Sequence, residues 1–256
     1  MKRKERLAVE RTDTAGPPDA AELLDGIPGQ RAAAPASTPA PVPRPAPARL
    51  RPWHLLPTPT GTPFTFGYAA VLAVTSLVTE YADPDLVHRL LQGSSTDVAH
   101  LVRTPAFVLL TSALWIAGGL LSPYALGFLL VLTALERRIG GARTAVVFLL
   151  GHVLATLATE VPVGLAVLVG HLPDSSLHRL DYGISFGVAA SFGALAGLLR
   201  PWLRWPLLVG FGWMLVQDLV AFTDPLSDWG HLFSLAIGVA CGPMVRRWAG
   251  VGRGAR

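Results

Sequence analysis

Charge is scarce in this chain. Only 15% of its 256 residues are Asp, Glu, Lys or Arg, against about 25% in a typical soluble domain, while 51% are hydrophobic. Charge this sparse, gathered into clusters between long apolar runs, excludes an ordinary soluble globule and describes a polytopic membrane protein. Cysteine occurs once, at Cys241, so no intrachain disulfide and no cysteine metal cluster can form. Lysine occurs only at Lys2 and Lys4, leaving arginine to carry the rest of the positive charge. His88, His100, His171 and His178 fall outside the apolar runs and show no H-x-x-x-H ligand spacing, so neither a metal nor a cofactor is expected. The net charge of +4 gathers at the termini and in two short loops, which argues against nucleic acid as a partner. An apolar core following the basic start "KRKER" is also missing, so the amino end does not read as a secretory signal.

Residues 1–62 contain "RAAAPASTPAPVPRPAPARLRP". Proline at that density blocks helix and strand, and the apolar content is too low to offset chain entropy. This predicts a disordered cytoplasmic tail that serves as a spacer or binds a cytoplasmic partner. The heavy Ala, Gly and Pro usage hints at a GC-rich bacterial genome.

The character changes at Pro63. "FTFGYAAVLAVTSLVTEY" (64–81) reads as a first span, long enough for the ~20 residues a bilayer requires. Residues 105–135 are about thirty uncharged positions, too many for one crossing. Gly118-Gly119 and Pro123 break them into a membrane-dipping segment and a second span. A third begins near Thr144, a fourth runs from Gly183 to Leu199, a fifth from about Pro206 to Phe222, and a sixth from about His231 to Val245. The expected architecture is therefore all-α, a six-helix membrane domain over residues 63–248 with a short cytoplasmic tail at 249–256.

Loop charge orients it. Arg137, Arg138 and Arg143 follow span two, Arg200 and Arg204 follow span four, and Arg246 and Arg247 follow span six. The alternate loops hold only Arg89, Arg103 and Arg179 and are rich in acids: Asp83, Asp85, Asp97, Asp174, Asp181, Asp224 and Asp228. Positive charge stays on the cytoplasmic side, which predicts a multi-pass protein of the cell membrane with both termini in the cytoplasm.

Two polar residues stand at the outer helix ends, Ser185 on span four and His231 on span six. Helical spacing puts Ser185, Ala189, Gly193 and Gly197 on one face, and His231, Ser234, Gly238 and Gly242 on another. Small stripes let backbones approach closely. At matched depth the approach would bring a hydroxyl to an imidazole, the minimal arrangement for activating a nucleophile; packing alone explains the stripes equally well. "GISFG" fits the hydrolase elbow G-x-S-x-G, but that motif requires a strand and a soluble sheet. His152 inside span three predicts an interhelical hydrogen bond, with an oxyanion-donor role as the alternative. Asp181 reads as a solvated helix N-cap, or as a partner that orients His231 or Arg179. Asp218 reads as a structural partner in the bundle or at its outer end.

Five segments together resemble the rhomboid intramembrane serine proteases. Gly183-Ile184-Ser185 is similar to the start of their catalytic helix, and "GHLFSLAIGVACG" from Gly230 to their histidine helix. "LLTSALWIAG" (109–118) resembles their membrane-dipping first loop, "LERRIGGAR" (135–143) the glutamate–arginine–glycine corner ending span two, and "QDLV" (217–220) part of span five. The resemblance covers residues 64 to about 247. It implies a serine endopeptidase that cleaves transmembrane segments in the bilayer, with Ser185 as nucleophile and His231 as general base and acid. Rhomboids also place a histidine and an asparagine in span two to bind the oxyanion; residues 116–127 offer neither, leaving Tyr124 or Ser122 in that region. Phe186 stands where the family has glycine. The alternative implied by these departures is an inactive relative that binds transmembrane clients.

Overall fold

The computed structural model describes residues 55–250, which are helical with no strand among them. The predicted amino-terminal tail lies largely outside the described residues, and so does the chain end after 250.

Helix α1 (Pro63–Tyr81) is followed by α2 (Pro84–Gly93), α3 (Val98–Arg103) and α4 (Pro105–Thr111), which tightens into a 3₁₀ turn at Ser112–Leu114. After a break come α5 (Pro123–Gly127), a π-helical turn (Phe128–Leu132) and α6 (Thr133–Ile139), end to end. The long α7 (Gly141–Leu168) leads through a 3₁₀ turn (Asp174–His178) to α8 (Ser185–Ala196), α9 (Pro201–Ala221), α10 (Pro225–Ala240) and α11 (Gly242–Trp248).

Local chemistry sets these boundaries. Proline occupies the first turn of α1, α2, α4, α5, α9, α10 and α11, where its missing N–H costs no intrahelical bond. Side chains of Asp83, Asp97, Ser122 and Asp224 accept from the first-turn amides of α2, α3, α5 and α10. The break expected at Gly118-Gly119 is present, both glycines having φ +81°. Gly140 (φ +86°) ends α6 and turns the chain directly into α7.

At that corner the buried Glu136 carboxylate accepts from the amides of Phe64 (2.9 Å) and Thr65 (2.7 Å) and from the Thr65 hydroxyl (2.6 Å). One acid on α6 thus caps the free amides of α1. Gly141 makes room for it, since a Cβ there would lie 2.8 Å from Oε1. Tyr68 continues the anchoring. Its ring meets Phe128 and Phe148 edge-on at 5.0 and 5.4 Å, and its hydroxyl donates to the Ala113 carbonyl.

Helix α8 is the centre of the bundle, packed between α7 and α10. From Phe186 to Ala196 every residue but Phe192 is buried, as expected of a helix that is apolar all round. The small stripes do meet. A Cβ on Gly193 would lie 2.6 Å from the Leu235 carbonyl, and one on Gly238 would overlap the backbone of Ala190. On the other side a Cβ on Gly151 of α7 would overlap Ala190 as well. In a bilayer such close packing replaces the hydrophobic drive that water would supply. Arg204 closes the far end of α8 by donating to the carbonyls of Ala196, Gly197 and Leu199.

Of the expected spans, α1 and α7 are long and apolar enough to cross a membrane. Helix α8 has 12 residues, about 18 Å, shorter than the ~30 Å hydrocarbon layer. It begins two residues later than the predicted fourth span because Gly183 (φ +131°) is not helical. Large apolar side chains lie exposed along α1 (Val74, Leu77), α7 (Val161, Leu165) and α9 (Trp202, Val209).

Candidate functional site

Gly183 sets up the entry to α8. Its amide donates to the Ser112 carbonyl (3.0 Å), and its left-handed φ delivers the chain to Ser185, the first helical residue. The amides of Ser185, Phe186 and Gly187 precede the first backbone bond into this helix, Val188 to Ile184. They carry the partial positive charge of a helix start.

Ser185 opens into a cavity of about 460 Å³ that His231 also lines, together with Tyr124, His152, Thr156 and Asp228. The two residues singled out from the sequence therefore share one space. No hydrogen bond joins them: both ring nitrogens of His231 are buried without a partner. The imidazole is held by rings instead. Tyr124 stacks on it at 4.9 Å with an interplanar angle of 18°, and Phe186 meets it edge-on at 5.3 Å. The bulk of Phe186 is accommodated by Gly230, where a Cβ would overlap the phenyl ring.

His152 lies on the α7 side. Its Nε2 is 3.1 Å from the Ser112 hydroxyl, the hydrogen bond between separate elements expected for it, and its ring also reaches the cavity wall. Tyr124 lines the cavity, whereas Ser122 is used as the cap of α5, accepting from the Ala125 amide.

Above the cavity runs a polar latch. Arg179 donates to Glu160 of α7 (2.8 Å) and to Asp224 at the start of α10 (3.5 Å), and lies 3.7 Å from Asp181. Ser95 and Thr96 bind the same loop: Thr96 donates to the Asp181 carboxylate (3.0 Å) and carbonyl, and Ser95 donates to the Arg179 carbonyl. Burial works against the charge on Arg179, but Asp181, Glu160 and Asp224 outweigh it and hold its pKa above the usual value. Burial dominates at Asp181, raising its carboxyl above the ordinary range despite Arg179 and Thr96.

Two sequence expectations change here. Asp181 is not a helix N-cap, since α8 has no side-chain cap and residues 179–183 do not run into a helix; the carboxylate pairs with Thr96 and with Arg179, one of the two partners expected as the alternative. Asp228 is not a loop residue but sits in the first turn of α10, because Asp224 and Pro225 start that helix earlier than the apolar run does. Asp218 lies exposed near the carboxyl end of α9.

The model of the rhomboid-like protein family matches residues 60–251, spanning every helix described above. The chain belongs to the rhomboid-like protein family. No curated protein and no solved structure matches it. Family membership and the exposed apolar helices together make this an integral membrane rhomboid-like protein.

Proposed function

We propose that this rhomboid-like protein is an intramembrane serine endopeptidase that cleaves transmembrane segments of other proteins. In this reading it crosses the cell membrane six times with both termini in the cytoplasm, and α8 and α10 carry the chemistry. The observation behind it is the shared cavity, into which a serine at a helix start and an otherwise unpartnered imidazole both open. The Ser185 hydroxyl attacks the scissile carbonyl while His231 takes its proton, then returns it to the leaving amine. A gap between the two side chains before substrate arrives is compatible with this, since such bonds tighten in the substrate complex.

The developing oxyanion requires donors, one being worth about 10²–10³ in rate. The free amides at the start of α8 and the Tyr124 hydroxyl are the groups available to supply them. The chain contains no asparagine anywhere, so the second oxyanion donor of rhomboids cannot be reproduced as such.

A second reading is favoured by a specific observation. The Phe186 ring packs against His231, and no hydrogen bond links that histidine to Ser185. An inactive family member would use the same cavity to hold transmembrane clients without cutting them.

A fluorophosphonate probe separates the two. Wild-type protein in nanodiscs is expected to label at Ser185, with labelling lost in Ser185→Ala and reduced at least about 10²-fold in His231→Ala. No labelling of folded wild type, beside a labelled active serine hydrolase, would overturn the protease reading and leave the client-binding one standing.

A further inference from the structure

The cavity has a marked charge imbalance. Asp181, Asp224 and Asp228 line it, and among the described residues no lysine or arginine does. Arg179, behind the rim, already engages Glu160, Asp224 and Asp181. Asp224 also accepts from the Ser227 hydroxyl at 2.6 Å, and Asp181 from Thr96. These acids have partners.

Asp228 is only partly engaged. It is 7% exposed, the Asp224 backbone hydrogen-bonds its carboxyl, and its Oδ2 is buried without a hydrogen-bond partner. A buried carboxylate oxygen left without a donor is costly to a fold. Asp228 precedes His231 by three residues on α10, so the two share a helix face with the carboxylate about one turn, roughly 5 Å, nearer the amino end. Both open into the same cavity as Ser185.

We propose that Asp228 is a specificity residue that receives a cationic side chain, arginine or lysine, from the polypeptide client seated at Ser185 and His231. The cation lies within a few residues of the client bond that faces Ser185, toward the mouth. An arginine is the better fit, because its guanidinium can donate two parallel bonds to a carboxylate. The substrate class is thereby narrowed to transmembrane segments bearing a basic residue at the membrane boundary next to the segment held in the cavity. The inference rests on the reading that the cavity holds a polypeptide, and does not require that the polypeptide be cut.

The test is binding by full-length Ser185→Ala protein, which cannot cleave, in phosphatidylcholine nanodiscs. The probes are three fluorescent single-span peptides that differ at one boundary residue: arginine, its neutral isostere citrulline, or glutamate, each placed at successive positions. At one position the arginine peptide is expected to bind at least about tenfold more tightly than the citrulline peptide, and the glutamate peptide more weakly still. The preference is expected to disappear in Asp228→Asn and to return in Asp228→Glu. Equal affinities for arginine and citrulline at every position overturn the proposal, and that comparison needs no Asp228 variant to fold. A preference that survives Asp228→Asn also overturns it. So does Asp228-dependent retention of phosphatidylethanolamine with no peptide preference, which would assign the carboxylate to a lipid ammonium. Absence of fluorophosphonate labelling with the arginine preference intact removes the protease and leaves this inference standing. Labelling without the preference does the reverse.

Discussion

At the scale of single residues, the strongest contacts are polar groups meeting across elements far apart in the chain. Glu136 illustrates this. Its two oxygens accept three hydrogen bonds from Phe64 and Thr65, so α1 is fastened by a residue on α6. Hydrogen bonds to a charged group are each worth more than neutral ones, and losing the acceptor leaves buried donors unsatisfied. Glu136→Ala is expected to destabilise the protein by about 2–3 kcal/mol, and Glu136→Gln, which keeps one acceptor oxygen, by about 1 kcal/mol. Reversible unfolding in mixed micelles would measure both. From the sequence, Glu136 stood out only as part of a motif. Its partners lie some seventy positions away, and no local pattern encodes such a pairing. Asp228 was obscured for a related reason: its three-residue spacing from His231 could be read, but that its Oδ2 is left without a donor depends on how the neighbouring elements pack.

At the scale of elements, α8 and α10 approach backbone to backbone because their contact faces carry almost no side chain. Gly238→Ala would place a methyl group into the Ala190 backbone. It is expected to cost about 3 kcal/mol, at the upper end of overpacking penalties. Gly212→Ala on α9 is the control: its methyl would sit 3.8 Å from Leu235 Cδ2, an ordinary contact, and helix propensity favours alanine. Stability of that variant is expected to be unchanged or slightly raised in the same unfolding measurement. These stripes were legible because helix periodicity alone places Gly193 with Gly197 and Ser234 with Gly238. The starts of α1 and α5 were legible too, through Pro63 and Pro123. Less so was the extent of α8. Apolar residues continue on both sides, but Gly183 leaves helical space and Arg204 takes up the last carbonyls. Hydropathy records neither event.

For the whole molecule, charge distribution is the basis of the proposed orientation. Segments rich in arginine and segments rich in aspartate alternate along the chain, which is the argument for the proposed six-span topology. Cys241, the single cysteine, is buried, so Cys241→Ala supplies a thiol-free background. Ser175 and Arg200 are both exposed in connecting segments. Ser175→Cys is expected to react with an impermeant maleimide applied outside intact cells, and Arg200→Cys only after the membrane is opened. Reaction of both from the same side would contradict the topology.

The nesting of Phe186 against Gly230 makes those two positions one structural unit. A side chain at 230 and the ring at 186 would occupy the same space, so each position constrains the other. Glycine at 186 alone would open a hollow along one edge of the imidazole. The histidine's aim, and with it the chemistry of the cavity, is therefore a joint property of two helices and cannot be edited one letter at a time.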